Sequence, residues 1–168
     1  MKIISGGQTG VDRAALDVAI ERGMEWGGWC PKGGWAEDLT DPPGLLAKYP
    51  HLKETPDPHP LQRTEWNVRD SDATLIIIDA EGLSVSIGTR RAHQWAHQHG
   101  KPLLFVDASD PEAPAHAAAW LRAQQRRFGK HMTLGIGGPR ESEAPGIYVR
   151  ARTLFAAILD GVARDLSH

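Results

Sequence analysis

The chain has 168 residues, 40% of them hydrophobic and 24% charged, with a formal net charge of -2. That is enough sequence for one ordinary globular core, and its charge balance supplies no basic field to gather nucleic acid or anionic membrane. One cysteine, Cys30, precludes an internal disulfide and fits a reducing, cytoplasmic setting; the apolar run after Met1 is too short for a signal peptide, and no stretch of about 18 apolar residues offers a membrane span.

Lys2 to Ser5 is a short apolar run broken by Gly6-Gly7, and helical spacing begins after Gly10. Val11, Ala14, Ala15, Val18 and Ala19 form one stripe, and Gly23 stands where such a helix stops. Trp26 to Trp29 reads as a second short strand. Pro31 to Pro60 holds seven of the twelve prolines and few apolar repeats, so it is expected to be an irregular surface excursion, a ligand-covering loop or a disordered one. Gln62 to Asp70 has helical spacing, and Ala73 to Asp79 is the strongest strand, apolar on both faces as central parallel strands are. Gly88-Thr89 opens a helix with Ala92, Trp95 and Ala96 inward, ended by Gly100 and Pro102. Leu103–Val106 and Met132–Ile136 read as strands on either side of a helix from Pro111 to Arg127. Pro145 starts a last helix with Ala151, Leu154, Ile158 and Val162 on its stripe. Strands alternating with helices predict one α/β domain over 1–168, a Rossmann-like three-layer sandwich with a mostly parallel sheet.

Ligands of such sheets bind beyond the carboxyl ends of the strands, and three polar, glycine-containing segments lie at that edge. The first is Ser5-Gly6-Gly7-Gln8-Thr9-Gly10-Val11-Asp12-Arg13, where close backbone approach and a helix start suit a phosphate. A plainer reading makes Thr9 the helix N-cap and Asp12 its capping-box partner. The segment is neither a G-x-G-x-x-G fingerprint nor a Walker A loop, so hydride transfer and NTP hydrolysis are disfavoured. The second runs from Ala80 to Arg91, with Gly88 and Thr89 at a helix start and Arg90 or Arg91 able to clamp an anion, unless both are solvated. The third is Gly135-Ile136-Gly137-Gly138-Pro139-Arg140-Glu141-Ser142, a site by the same logic or an ordinary turn. Arg63, Asn67 and Asp70 share a polar helix face that could reach the same edge, although such faces are ordinarily solvated.

Other constellations read as empty. His93 and His97 have zinc-compatible spacing, but no glutamate follows His93 and no third ligand is evident. No metal site is expected. Cys30 has no CxxC partner and reads as packing, and no G-x-S-x-G elbow appears.

Ser5 through Ala15, Arg63-Thr64 to Asn67-Val68, Asp70 to Ile76, Gly100-Lys101-Pro102-Leu103, Gly138 to Ser142 and Pro145 to Tyr148 together resemble the molybdenum (molybdenum cofactor) carrier proteins, in the same order and across nearly the whole chain. That family is grouped with Rossmann-like nucleotide sensors and with lysine-decarboxylase-like, cytokinin-activating phosphoribohydrolases. The resemblance implies ligand contacts at Gly6, Gly7, Gln8, Thr9, Gly10, Asp12, Gly88 and Thr89, and at Gly138, Pro139, Arg140, Glu141 and Ser142. It implies a binding protein for molybdenum cofactor or a related phosphorylated, nucleotide-like ligand, and self-association into a homo-oligomer. The phosphate would rest on the Gly6–Gly10 loop with Arg140 or Arg90 as counter-charge, while Lys32, Trp35 and Tyr49 close over a ring and Trp120 lines an interface. The wider group carries P-G-G-x-G-T-x-x-E after its central strand. Here Ala92 stands in the place of that glutamate, which argues against glycosidic cleavage. The enzyme alternative, a nucleotide hydrolase, would use Asp12 or Glu141 as its acid/base.

Overall fold

The computed structural model describes residues 1–80 and 86–164. Six strands, β1 (Lys2–Ile4), β2 (Glu25–Cys30), β3 (Leu52–Glu54), β4 (Ala73–Ile78), β5 (Leu103–Asp107) and β6 (Thr133–Gly137), form one sheet in the order β3-β2-β1-β6-β4-β5. Every pairing is parallel. The helices are α1 (Val11–Glu21), α2 (Leu45–Lys48), α3 (Pro60–Arg69), α4 (Ile87–Gln98), α5 (Ala113–Phe128) and α6 (Ile147–Arg164). Helices α1, α5 and α6 cover one face of the sheet, and α3 and α4 the other. The architecture is therefore the α/β three-layer sandwich that the alternation of elements predicts, with a sheet parallel throughout.

Period-two alternation along β4 divides its side chains between the layers. Leu75 and Ile77 join the large core under α1, α5 and α6, whereas Ile76 packs with Val68, Ala92 and Ala96 under α3 and α4. The core under α6 owes its continuity to Ile147, Ala151, Leu154, Phe155, Ile158 and Val162, which share one face of the helix. Trp120 is half-buried against that core rather than standing free at the surface.

The segment from 31 to 60 has more structure than its prolines suggest. It contains a 3-10 turn at Lys32–Gly34, helix α2 and the edge strand β3, which pairs with β2. Ala36, Leu45, Tyr49 and Leu52 bury against Leu16 and Cys30 as a second core. Tyr49 is thus interior, its hydroxyl donating to Asp17 Oδ1 at 2.6 Å.

The chain winds outward from β1 to β3, crosses to β4 and β5 on the other side, and returns to insert β6 between β1 and β4. Because the strands are parallel, the carboxyl ends of β1, β6 and β4 lie side by side on one edge at this reversal. Crevices for ligands open at such points.

Candidate functional site

A cleft of about 380 Å³ occupies that point, between the loops after β1 and β6 and the amino-terminal ends of α3 and α4. This volume lies in the range of small-molecule sites. From the loop after β1 and the first turn of α1 it takes Gly6, Gln8 and Asp12; from the loop after β6, Gly138, Arg140 and Glu143. Ser86, Ile87, Gly88 and Thr89 border it at the start of α4, and His59, Pro60 and Arg63 at the start of α3.

Asp12 and Arg63 form a buried ion pair in its wall, Arg63 Nη1 donating to Asp12 Oδ2 at 2.9 Å. A Cβ on Gly6 would lie 1.8 Å from Arg63 Nη1, so only glycine lets the pair sit against the strand end. Burial pushes the Asp12 carboxyl above its ordinary value, and the Arg63 charge and hydrogen bond only partly oppose it. Arg63 also donates from Nε to the Pro60 carbonyl, so it is a buried clamp rather than part of a solvated face. On the same helix, Asn67 accepts from the Trp29 N–H at 2.8 Å and donates to the Trp29 carbonyl at 3.0 Å. Asp70 accepts from the Trp29 indole at 2.7 Å. Those two hold α3 to β2.

The rest of the first loop is engaged by protein. Gly7 packs against Leu45 and Leu52. Gly10 has φ of +78°, and a Cβ there would lie 2.4 Å from the Pro139 carbonyl, whose oxygen accepts the first N–H of α1, that of Val11, at 3.2 Å. The start of α1 is therefore closed by the loop after β6. Gly10 itself is the N-cap, with no side-chain capping bond, so Thr9 and Asp12 make no capping box. Thr9 donates its hydroxyl to Glu37 and accepts the Glu141 N–H at 3.1 Å. Gln8 accepts, through its amide oxygen, from the N–H groups of Thr9 and Glu37 at 3.0 Å each.

Glu37 is the residue that sequence reasoning missed. Besides Thr9, it accepts from the N–H of Ser142 at 3.2 Å and from its hydroxyl at 2.5 Å, with Arg140 Nη1 at 3.8 Å. Partial burial pushes its carboxyl up, but bonds from Ser142 and Thr9 and the Arg140 charge outweigh this and hold it below the ordinary range. Arg13 adds a second tie, donating to Gly7 O and bidentately to Asp38 at 2.7 and 2.8 Å. No sequence spacing signals these links, because Glu37 and Ser142 are 105 residues apart.

Glu141 lies outside the cleft lining and accepts from the N–H groups of Gly146 and Tyr148, capping the start of α6. Arg140 borders the cleft between two carboxylates, with Glu143 Oε1 3.4 Å from its Nε. Gly138 is packed against Ile77 O and Val11, and Pro139 covers α1. Arg90 is exposed and does not border the cleft, nor do Lys32 and Trp35. Within the second segment, Glu81 to Val85 lie outside the described residues.

Among the described residues, the open helix start is that of α4. Ser86 caps it by accepting the Thr89 N–H at 3.2 Å. Among the described residues a Cβ on Gly88 would meet only Ser86 Oγ, at 4.0 Å, and nothing accepts from the N–H groups of Ile87 and Gly88. Ala92 is buried in the cleft wall. Away from the site, His93 packs 5.4 Å from Phe105 with both helix histidines exposed, and no cluster of three metal-ligating side chains occurs among the described residues. Cys30 is fully buried, and that burial pushes its thiol up to about 11. No helix among the described residues is long and apolar enough to cross a membrane.

Residues 3–159 match the sequence model of the circularly permutated YpsA SLOG family. Among solved structures, the chain is similar to the crystal structure of a protein named "Putative molybdenum carrier protein" from Syntrophus aciditrophicus SB. The two share 39% identity with a TM-score of 0.79, and 94% of each chain is covered. Among curated proteins none matches.

Proposed function

Because the chain belongs to the circularly permutated YpsA SLOG family, we propose that it is a non-catalytic, cytoplasmic binding protein for a phosphorylated, ring-bearing small molecule, molybdenum cofactor or a related nucleotide-like compound. The name of the structural relative supports the cargo class. The observation that carries the reading is the cleft at the sheet reversal, onto which the start of α4 opens with the N–H groups of Ile87 and Gly88. A phosphate there meets backbone donors and the positive end of a twelve-residue helix. Thr89, Arg140 and Arg63 supply further polar groups, and Gln8 faces the ligand's polar edge. The phosphate thus belongs to Gly88-Thr89 more than to Gly6–Gly10, whose loop is engaged by Glu37 and Pro139. Nucleic acid has no part in this reading, since the net charge is -2. Self-association does, with exposed Ile20 and Val149 on the adjoining α1 and α6 as contact surface; sedimentation velocity tests it.

The test is a thermal-shift and calorimetric series with nucleoside mono- and diphosphates, pterins and extracted molybdenum cofactor. A ligand at 100 times its dissociation constant adds about 2.7 kcal/mol of stability. Gly88→Asp puts a carboxylate on the same helix start, where it suits folding but repels phosphate. It is expected to weaken binding at least tenfold with the melting point preserved. No shift with any compound, or undiminished binding to Gly88→Asp, overturns the reading.

One observation favours a hydrolase instead: Asp12 is a carboxyl bordering the cleft, and burial pushes it above its ordinary value. Chromatography of nucleoside monophosphates incubated with the protein decides between them. Intact nucleotide is expected, whereas base release that disappears in Asp12→Asn would replace the carrier by an enzyme.

A further inference from the structure

Opposite the start of α4, the cleft carries a second free donor. Gln8, 5% exposed, borders it from the loop after β1. Its amide oxygen accepts from the N–H groups of Thr9 and Glu37, at 3.0 Å each. Only an oxygen can face two N–H groups, so the amide cannot be turned over and Nε2 points away from them. Among the described residues Nε2 donates to nothing. Nor is it sealed in. Thr74 Oγ1 is the one polar atom of a buried or half-buried side chain there that is both closed to solvent and unpartnered. The Gln8 amide therefore presents its N–H groups to the cleft in an orientation the protein has already set, as a donor organised for a ligand acceptor is.

Strand order sets how far apart the two donor groups lie. β1 and β4 flank β6, so their carboxyl ends stand two strand spacings apart, about 10 Å. Gln8 follows the first strand and the start of α4 the second. A phosphate on the N–H groups of Ile87 and Gly88 falls short of Gln8, even as a diphosphate. A nucleoside monophosphate laid across the end of β6 reaches it with the far edge of its base. The floor of that path is Gly137, the last residue of β6. Among the described residues a Cβ there would meet only Asp12 Oδ1 and Ile76 Cδ1, at 3.6 Å each.

We propose that the ligand lies across the end of β6, with its phosphate at α4 and its ring edge at Gln8, and that Gln8 Nε2 selects rings whose edge carries a keto oxygen over rings that carry an amino group there. The proposal rests on the reading of the cleft as a site for a phosphorylated small molecule. A keto oxygen accepts from Nε2. An exocyclic amino group sets donor against donor and leaves buried N–H groups unpaired.

The probes are IMP and AMP, titrated calorimetrically. They share ribose and phosphate and differ in a keto against an amino group on the ring, with the ring proton that accompanies the keto form. The parent is expected to bind IMP roughly tenfold more tightly than AMP. Gln8→Glu keeps an oxygen on the N–H groups of Thr9 and Glu37 and puts an acceptor where Nε2 stood. It is expected to reverse the order, AMP binding more tightly than IMP, which a merely structural role for Gln8 would not do. Gly137→Ala adds a methyl to the floor of the path at ordinary contact distances, so the fold tolerates it. It should weaken both nucleotides alike, by roughly tenfold. Equal binding of IMP and AMP by the parent, or a preference unchanged in Gln8→Glu, overturns the role of Gln8 and leaves the carrier reading standing. Full affinity in Gly137→Ala overturns the path across β6. Failure of both nucleotides to bind the parent overturns the cleft reading and this inference with it.

Discussion

Arg63 reaches from α3 across Gly6 to place Nη1 2.9 Å from Oδ2 of Asp12, in the first turn of α1. The pair joins helices on opposite faces of the sheet through the gap at the end of β1, and nine-tenths of the Arg63 side chain is shielded from solvent. Arg63→Ala removes the cation hydrogen-bonded to a buried carboxyl, which costs about 3–5 kcal/mol. Urea denaturation should register that loss. In a double-mutant cycle, Asp12→Leu with Arg63→Met should cost much less than the two single changes summed.

Glu37 makes stability depend on acid. Its folded pKa lies below the ordinary 4.5. The stabilisation is therefore fully present above pH 4.5 and lost as pH falls through the lower, folded value. Glu37→Gln should destabilise the protein at pH 7 by about 1–3 kcal/mol and flatten the decline of stability below pH 4.5. Melting curves from pH 3 to 7 for parent and variant test this. Asp12 has the opposite sign: its raised pKa contributes stability at low pH that is lost as pH rises through the folded value.

Gly10 and Gly23 both have positive φ, +78° and +63°. Alanine at Gly23 meets no atom within 4 Å and should cost only the left-handed backbone penalty, about 1–2 kcal/mol. Alanine at Gly10 adds a 2.4 Å encounter with the Pro139 carbonyl, so its cost should clearly exceed that of Gly23→Ala. Guanidinium denaturation of the two variants compares them directly.

Cys30 should be nearly inert in the folded protein. With its thiol pushed up to about 11, the thiolate fraction at pH 8 is roughly one thousandth, against about a quarter for a free cysteine. Ellman's reagent should modify it at a free-thiol rate only after urea is added. A fast reaction in native buffer would place the thiol outside the second core.

Local pattern alone determined the layers. Apolar spacing in α1, α4 and α6 and the unbroken run in β4 mark faces that must be buried, and alternation of strand and helix leaves a parallel sheet as the means of burying them. The glycine loops were legible for the same reason, since residues without side chains interrupt such runs. β3 was not, because three residues with only Leu52 buried carry no period. The site's wiring was decided by tertiary structure. The same glycine signal marks Gly10, which admits the Pro139 backbone, and Gly88, which stands in the cleft lining with no close neighbour among the described residues. The polar face of α3 reads as solvated until the sheet reversal brings Arg63 over Asp12. Thr9 reads as a cap until Glu37, next in the chain to the buried Ala36, takes its hydroxyl. Spacing reports which residues face inward; which partner waits there depends on the order of the strands.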